Sequence, residues 1–266
     1  AAYGNLSRVA RRRGSLVEAQ ALEEKALGIR ERALGPDHLD VAWSLESLAS
    51  VRLQRGELAQ AQTFARRSVA IRERAPDRRE LASSLTTLGT IELGLGDPAA
   101  ARPLLVRALA IRERTMEPDH FLIADTLCGL ADVELQAGAL ERALELATRA
   151  RDIRVKSRPP DDPELARPLM VLGEVELERG RPREALALLE RALALRAGPG
   201  VAAINLAETR FAVARALMAA PPGEGGDPAR ARALATEAAP VLRTFAGGEL
   251  RVRAALEAWL RARGWR

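Results

Sequence analysis

Few side chains in this sequence are suited to chemistry. The histidines are His38 and His120, and both stand in Pro-Asp-His turns. A shared metal would require both imidazoles around one ion. Equivalent turns of a repeating chain lie many ångströms apart, so the sequence favours turn residues that seat the next helix. The single Cys128 excludes an internal disulfide framework and a cysteine metal cluster. No cation adjacent in sequence lowers its pKa and no His stands near it, so it reads as a small buried hydrophobe rather than a nucleophile. There is no Gly-rich loop ahead of a Lys-bearing strand, no His-Arg-Asp and no Asp-Phe-Gly. The expectation is a chain without catalysis, metal or cofactor.

Charge is the next candidate chemistry. Lys25 and Lys156 are the only lysines among 41 basic residues, against 36 acidic ones and a net charge of +5. Arg30, Arg72, Arg112, Arg154 and Arg196 recur at one spacing, and Lys25, Arg67, Arg107, Arg149 and Arg191 at a second. These columns would be either two outer tracks for an anionic polymer or stems packed along repeat interfaces and ion-paired with Glu31, Glu73 and Glu113. Acidic residues are interspersed throughout and only 3% of residues are aromatic. The second reading is therefore favoured, and no specific nucleic-acid partner is expected. No apolar run approaches the roughly 18 residues that span a bilayer, so membrane insertion is not expected. A lone cysteine suits a reducing, cytoplasmic setting. The chain opens at Ala1-Ala2-Tyr3 in mid-pattern, as a fragment of a longer protein would.

The elements that carry these residues follow from an internal repeat. Gly14, Gly56, Gly96, Gly138 and Gly180 recur at intervals of 40 or 42. Eight residues before each stands Leu6, Leu48, Leu88, Leu130 or Leu172. Seven before is always small: Ser7, Ala49, Gly89, Ala131, Gly173. Five after is always Ala, and fifteen after is Ile29, Ile71, Ile111, Ile153 or Leu195. Steps of three and four place these positions on one helical face, so each unit is helix, glycine turn, helix. Breakers such as Gly35-Pro36-Asp37-His38 and Glu117-Pro118-Asp119-His120 separate the units, with Asp placed to cap the helix that follows. Front helices are expected near 2–13, 39–55, 79–95, 121–137, 163–179 and 201–219. Back helices are expected near 15–34, 57–75, 98–115, 140–157, 182–196 and 228–244, with a capping helix near 249–263.

These residues resemble the tetratricopeptide repeat family over essentially the whole chain. The long period and the phrases "KALGIRERALGPDH" and "RALAIRERTMEPDH" resemble the subtype found in kinesin light chains. The C-terminal stretch "ELRVRAALEAWLRARGW" resembles the cap of repeat tails attached to bacterial Ser/Thr protein kinases. The resemblance implies an all-α, right-handed superhelical solenoid: one array over 1–266, with repeats at about 1–34, 39–75, 79–115, 121–157, 163–197 and 201–245. It also implies a scaffold or regulatory module that holds a partner protein or extended peptide in its concave groove. The alternatives it offers are a kinase tail and a kinesin-light-chain-like adaptor. Where that subtype carries Leu-Asn-Asn-Leu-Ala, this chain reads "YGNLS", "LESLA", "LTTLG", "LCGLA" and "LMVLG", so only Asn5 is retained of the Asn pair.

Projecting the front helices at 100° per residue selects groove positions. One column, thirteen before the glycine, reads Trp43, Ser83, Asp125, Arg167. The column at minus nine holds Asn5, Ser47, Thr87, Gly129 and Val171, and minus six holds Arg8, Ser50, Thr90, Asp132 and Glu174. Minus two includes Arg12 and Glu178. The expected ligand places an apolar residue near Trp43, meets the hydroxyls of Ser47, Ser83, Thr87 and Thr90, and turns Lys or Arg toward Asp125, Asp132, Glu174 and Glu178.

Overall fold

The structure is a computed structural model that describes residues 2–75, 79–198, 201–244 and 251–265. Thirteen α-helices run through these residues: α1 Ala2–Arg12, α2 Leu16–Leu34, α3 Leu39–Gln54, α4 Leu58–Glu73, α5 Arg79–Gly94, α6 Pro98–Thr115, α7 Phe121–Gln136, α8 Leu140–Ser157, α9 Ala166–Glu178, α10 Pro182–Arg196, α11 Ala203–Ala219, α12 Pro228–Thr244 and α13 Arg251–Ala262. Contacts group them into two compact units, one up to Thr115 and one from Met116. The first holds α1 to α6 and the second α7 to α13. Within each, a front helix and the back helix after it pair most extensively, and the back helix then meets the next front helix.

The glycine turn makes each pair. Gly56 has φ 74° and Gly138 φ 75°, a region closed to most side chains. At Gly56 the Glu57 amide donates to the Arg52 carbonyl and the Gly56 amide to the Leu53 carbonyl, both at 2.9 Å. That pairing satisfies the last carbonyls of α3 before the chain reverses.

Two expectations about helix starts change. His38 and His120, rather than Asp37 and Asp119, cap their helices. Their Nδ1 atoms accept the amides of Asp40 at 3.1 Å and Leu122 at 3.2 Å. The two aspartates turn outward to Arg74 and Lys156. At the next breaker Asp162 does cap, accepting the Glu164 amide at 2.8 Å. The fifth front helix opens with a 3-10 turn over Pro163–Leu165 before α9 begins. Pro168 has no N–H for the Glu164 carbonyl, so a regular α-turn cannot close there.

The core is built from Leu, Ile, Val and Ala. In the first unit Leu85, Leu88 and Ile91 of α5 pack with Ala61, Ala65 and Val69 of α4. Each such buried branched side chain contributes about 2 kcal/mol. In the second unit Met170 and Phe211 lie in the core, as their front-helix spacing implied. Trp259, Leu256 and Leu260 of α13 cover Ala231, Ala235 and Leu242 of α12. No helix among the described residues is long and apolar enough to cross a membrane.

Candidate functional site

The arginine column sixteen after each glycine settles first, because it frames the front-helix faces. Arg72, Arg112, Arg154 and Arg196 are buried, so this column is no outer track for an anionic polymer. For Arg72, Arg154 and Arg196 the guanidinium meets residues of front helices or of the turns that open them. Arg72 donates to Ser84 Oγ at 2.7 Å and the Glu80 carbonyl at 2.8 Å, and it pairs with Glu46. Arg154 pairs with Asp125, and Glu164 lies 3.5 Å away. Arg196 donates to Thr209 Oγ1 at 2.6 Å and the Asn205 carbonyl at 2.9 Å. The guanidinium groups of Arg72, Arg154 and Arg196 thus tie their own repeats to the following front helix or the turn that opens it. In the second column Arg67 meets Glu31 and Arg107 meets Glu73, both at 2.6 Å, as the ion-pair reading expected, while Arg191 donates to the Pro160 carbonyl at 3.3 Å.

In the first unit the front face of α1, α3 and α5 holds a crevice of about 170 Å³. Gly4, Arg8 and Arg11 form one wall, Trp43, Ser47 and Ser50 the floor, and Glu46 and Glu80 the other wall. Trp43 is 42% exposed, and the Arg30 guanidinium sits 5.7 Å from its ring centroid. A Cβ at Gly4 would lie 3.3 Å from the Arg30 guanidinium and 3.8 Å from the ring, so glycine there leaves room for the guanidinium beside the indole. The two walls differ in how firmly they are held. Glu46 is half-buried against Arg72, which opposes the upward push of burial on its pKa. Arg8 reaches Asn5 Oδ1 at 3.3 Å. Ser83 and Thr87 are half-buried on α5, and the Thr90 hydroxyl donates back to the Thr86 carbonyl at 3.0 Å.

In the second unit the front face of α7, α9 and α11 is an ionic network. Arg167 pairs with Asp132. Arg215 lies 2.7 Å from Glu178 and 3.8 Å from Glu174. Burial pushes the Glu174 carboxyl up to about 7 against the pull of Arg215, with Asp132 and Glu208 adding repulsion. Glu208 is also raised by burial. The carboxylates expected to await a positive ligand therefore already hold arginines of this chain. Val171, placed in a groove column by projection, is buried. Cys128 is buried too, and desolvation raises its thiol to about 12, so no thiolate forms near neutral pH.

Sequence reasoning missed Arg11, Glu46 and Glu80 in the first unit and Glu208 and Arg215 in the second. The last two continue the columns of Trp43 and Arg8, since Thr209 meets Arg196 as Ser84 meets Arg72. The extra turn at Pro222–Glu224 lengthens the sixth unit and hides that register from glycine counting.

Comparison with known proteins places the helix pairs. Two family models, both described as tetratricopeptide repeat, match residues 1–74 and 80–156 and residues 169–197. No curated protein matches the sequence. Among solved structures, a kinesin light chain of nearly identical TPR-like repeats from Podospora anserina aligns with a TM-score of 0.59 at 23% identity. It covers 74% of this chain and 93% of that one. BtubC from P. vanneervenii aligns at 0.60 and 19% identity, covering 91% and 92%. A Rap protein complexed with Competence and Sporulation Factor aligns at 0.70 and 14% identity, covering 98% and 73%. At such identities the likeness is one of fold, and together with the family matches it shows that this chain belongs to the tetratricopeptide repeat family.

Proposed function

We propose that this chain is a protein-interaction module whose front-helix faces hold an extended segment of a partner, with an apolar side chain seated on Trp43. The fold neighbours support the general reading, since one of them is a Rap protein complexed with Competence and Sporulation Factor. The observation that carries the specific reading is the exposed indole. Every other front-helix residue that large and apolar between Leu39 and Leu93 is buried or half-buried, apart from Leu39 at the helix start. A half-exposed Trp on a crevice floor is suited to desolvation by a ligand, and such anchors contribute about 2 kcal/mol or more. Ser47 is on the same floor and can meet a ligand main chain, with Ser83, Thr87 and Thr90 on α5. In the second unit, Asp125, Asp132, Arg167, Glu174 and Glu178 would engage a ligand only by exchanging one of its charges for an arginine contact already made. The retained Asn5 is exposed beside Arg8, where it can meet a ligand backbone.

The test is a peptide array probed with the purified chain and with Trp43→Ala. The variant should lose the peptides that the parent retains while its melting temperature stays nearly unchanged. A loss of several kcal/mol in stability instead, as for a core Trp, would show that the indole is structural.

A further inference from the structure

The crevice of the first unit breaks the repeat pattern at three positions of α1, and all three leave positive charge without an anion of this chain. Glu46, ten before its glycine, holds Arg72 of the same repeat. At that position the first repeat has Gly4, where a Cβ would lie 3.3 Å from Arg30 Nη2. The carboxylate that Arg30 meets instead is Glu23 of α2, 3.5 Å away, which is buried and has no part in the crevice lining. Arg8 shares its column with Asp132 and Glu174, which face Arg167 and Arg215 in the second unit. Arg8 itself reaches only the neutral amide of Asn5. Arg11 stands where the other four repeats carry Leu53, Leu93, Leu135 and Leu177. It is half-buried, yet it makes no hydrogen bond or ion pair among the described residues. Partial burial of a guanidinium without a counter-ion costs free energy, and a leucine at this position would avoid that cost.

Arg8 and Arg11 are three residues apart on α1, so their side chains are neighbours on one helical face and can converge on one ligand group. They wall a crevice whose floor carries Ser47 and Ser50, and these hydroxyls likewise make no hydrogen bond among the described residues. The acidic wall opposite is already engaged, since Arg72 pairs with Glu46 and lies 3.8 Å from Glu80. From these free donors we infer that the α1 side of the crevice is a site for the phosphate of a phosphorylated Ser or Thr, carried by the partner segment beside the apolar residue on Trp43. The inference rests on the reading that the crevice holds such a segment. A phosphate monoester brings about two negative charges and three acceptor oxygens at neutral pH. Two unpaired guanidinium groups and two unengaged hydroxyls match that demand. A carboxylate, with one charge, would leave one of the two arginines uncompensated.

The probes are labelled synthetic peptides in matched triplets, each with a Leu or Trp near a central residue that is Ser, phosphoserine or Glu. Fluorescence anisotropy with the purified chain should give phosphoserine members a Kd about tenfold or more below that of the Ser members, with Glu members between them. Arg8→Gln combined with Arg11→Leu, the residue of the other repeats, should bring the three values together. The melting temperature of that variant should be unchanged or higher, because neither arginine has a charged partner to lose. Trp43→Ala should weaken all members of a triplet alike. Phosphoserine members that bind no tighter than Ser members would overturn the inference, as would a preference that survives the double variant. In either case Trp43-dependent binding of the Ser members would keep the crevice as a peptide site. A preference that needs Arg8 and Arg11 but not Trp43 would support the phosphate site and remove the indole as anchor. Binding of no triplet would overturn both readings. A single-stranded oligonucleotide that competes as well as the phosphopeptides would assign the arginines to nucleic acid and overturn the inference.

Discussion

Glu174 shows how a single residue couples this fold to pH. It lies opposite Arg215 at 3.8 Å, with Asp132 and Glu208 also facing it, and burial is the main force raising its pKa to about 7. The folded state thus holds this proton more tightly than the unfolded chain does. Below the unfolded carboxyl range the group has no effect on stability. As pH rises through that range toward 7, the unfolded chain gives up the proton first, so stability falls, and the full penalty is present above 7. Glu174→Gln should accordingly melt higher than the parent at about pH 8, with the difference vanishing at about pH 4. Thermal melts at the two pH values decide it. A variant that is less stable at both would show that the Arg215 contact outweighs the burial. Nothing in the sequence distinguished Glu174 from its solvated neighbours, because its pKa depends on residues from three helices. The arginine column was legible as a repeat but not as buried. A helical wheel places it at the edge of the apolar stripe, where a long stem can turn either inward or outward.

At the scale of elements, the glycines and prolines did most of the placing, and helix ends fall within two residues of the spacing argument almost everywhere. The exceptions have local causes: Pro168 in the fifth front helix, and imidazoles doing the work assigned to aspartates. One column had a meaning that only packing reveals. The small residue seven before the turn faces the residue nine after it. Where the first is Gly89 or Gly173, the second is Leu105 or Leu189; where the first is Ala49 or Ala131, the second is Ala65 or Ala147. A Cβ on Gly89 would lie 2.7 Å from Leu105 Cγ. Gly89→Ala should therefore cost about 1–3 kcal/mol by overpacking, and Leu105→Ala about 2–5 kcal/mol by leaving a cavity. Together they recreate the Ala49–Ala65 pair, so the double variant should be more stable than the sum of the two losses by about 1 kcal/mol or more. Denaturant unfolding of the four proteins closes the cycle. Strict additivity would mean that the two side chains do not share one space.

Across the whole chain, the repeat period runs through Thr115 without interruption, although contacts divide the described residues there; the division has no counterpart in register. Net charge is also a property of the whole chain, and here the sequence is misleading by itself. A balance of +5 and a pI near 10.4 suggest affinity for nucleic acid. The structure shows where the guanidinium groups go. Arg72, Arg154 and Arg196 are buried against hydroxyls, carbonyls and carboxylates, while Arg67, Arg107 and Arg230 face Glu31, Glu73 and Glu190 across neighbouring repeats. An arginine engaged in this way releases no counterion when a phosphate approaches unless it first gives up its carboxylate. Binding to DNA or RNA should therefore be sequence-independent and limited to the few groups left over, with a shallow salt slope. Fluorescence anisotropy with a labelled duplex should show association only at low ionic strength, lost by about 0.2 M salt. Tight binding that persists there, with a slope reporting six or more phosphate contacts, would mean that the paired arginines exchange partners readily and that an outer face of the repeats reads an anionic polymer after all.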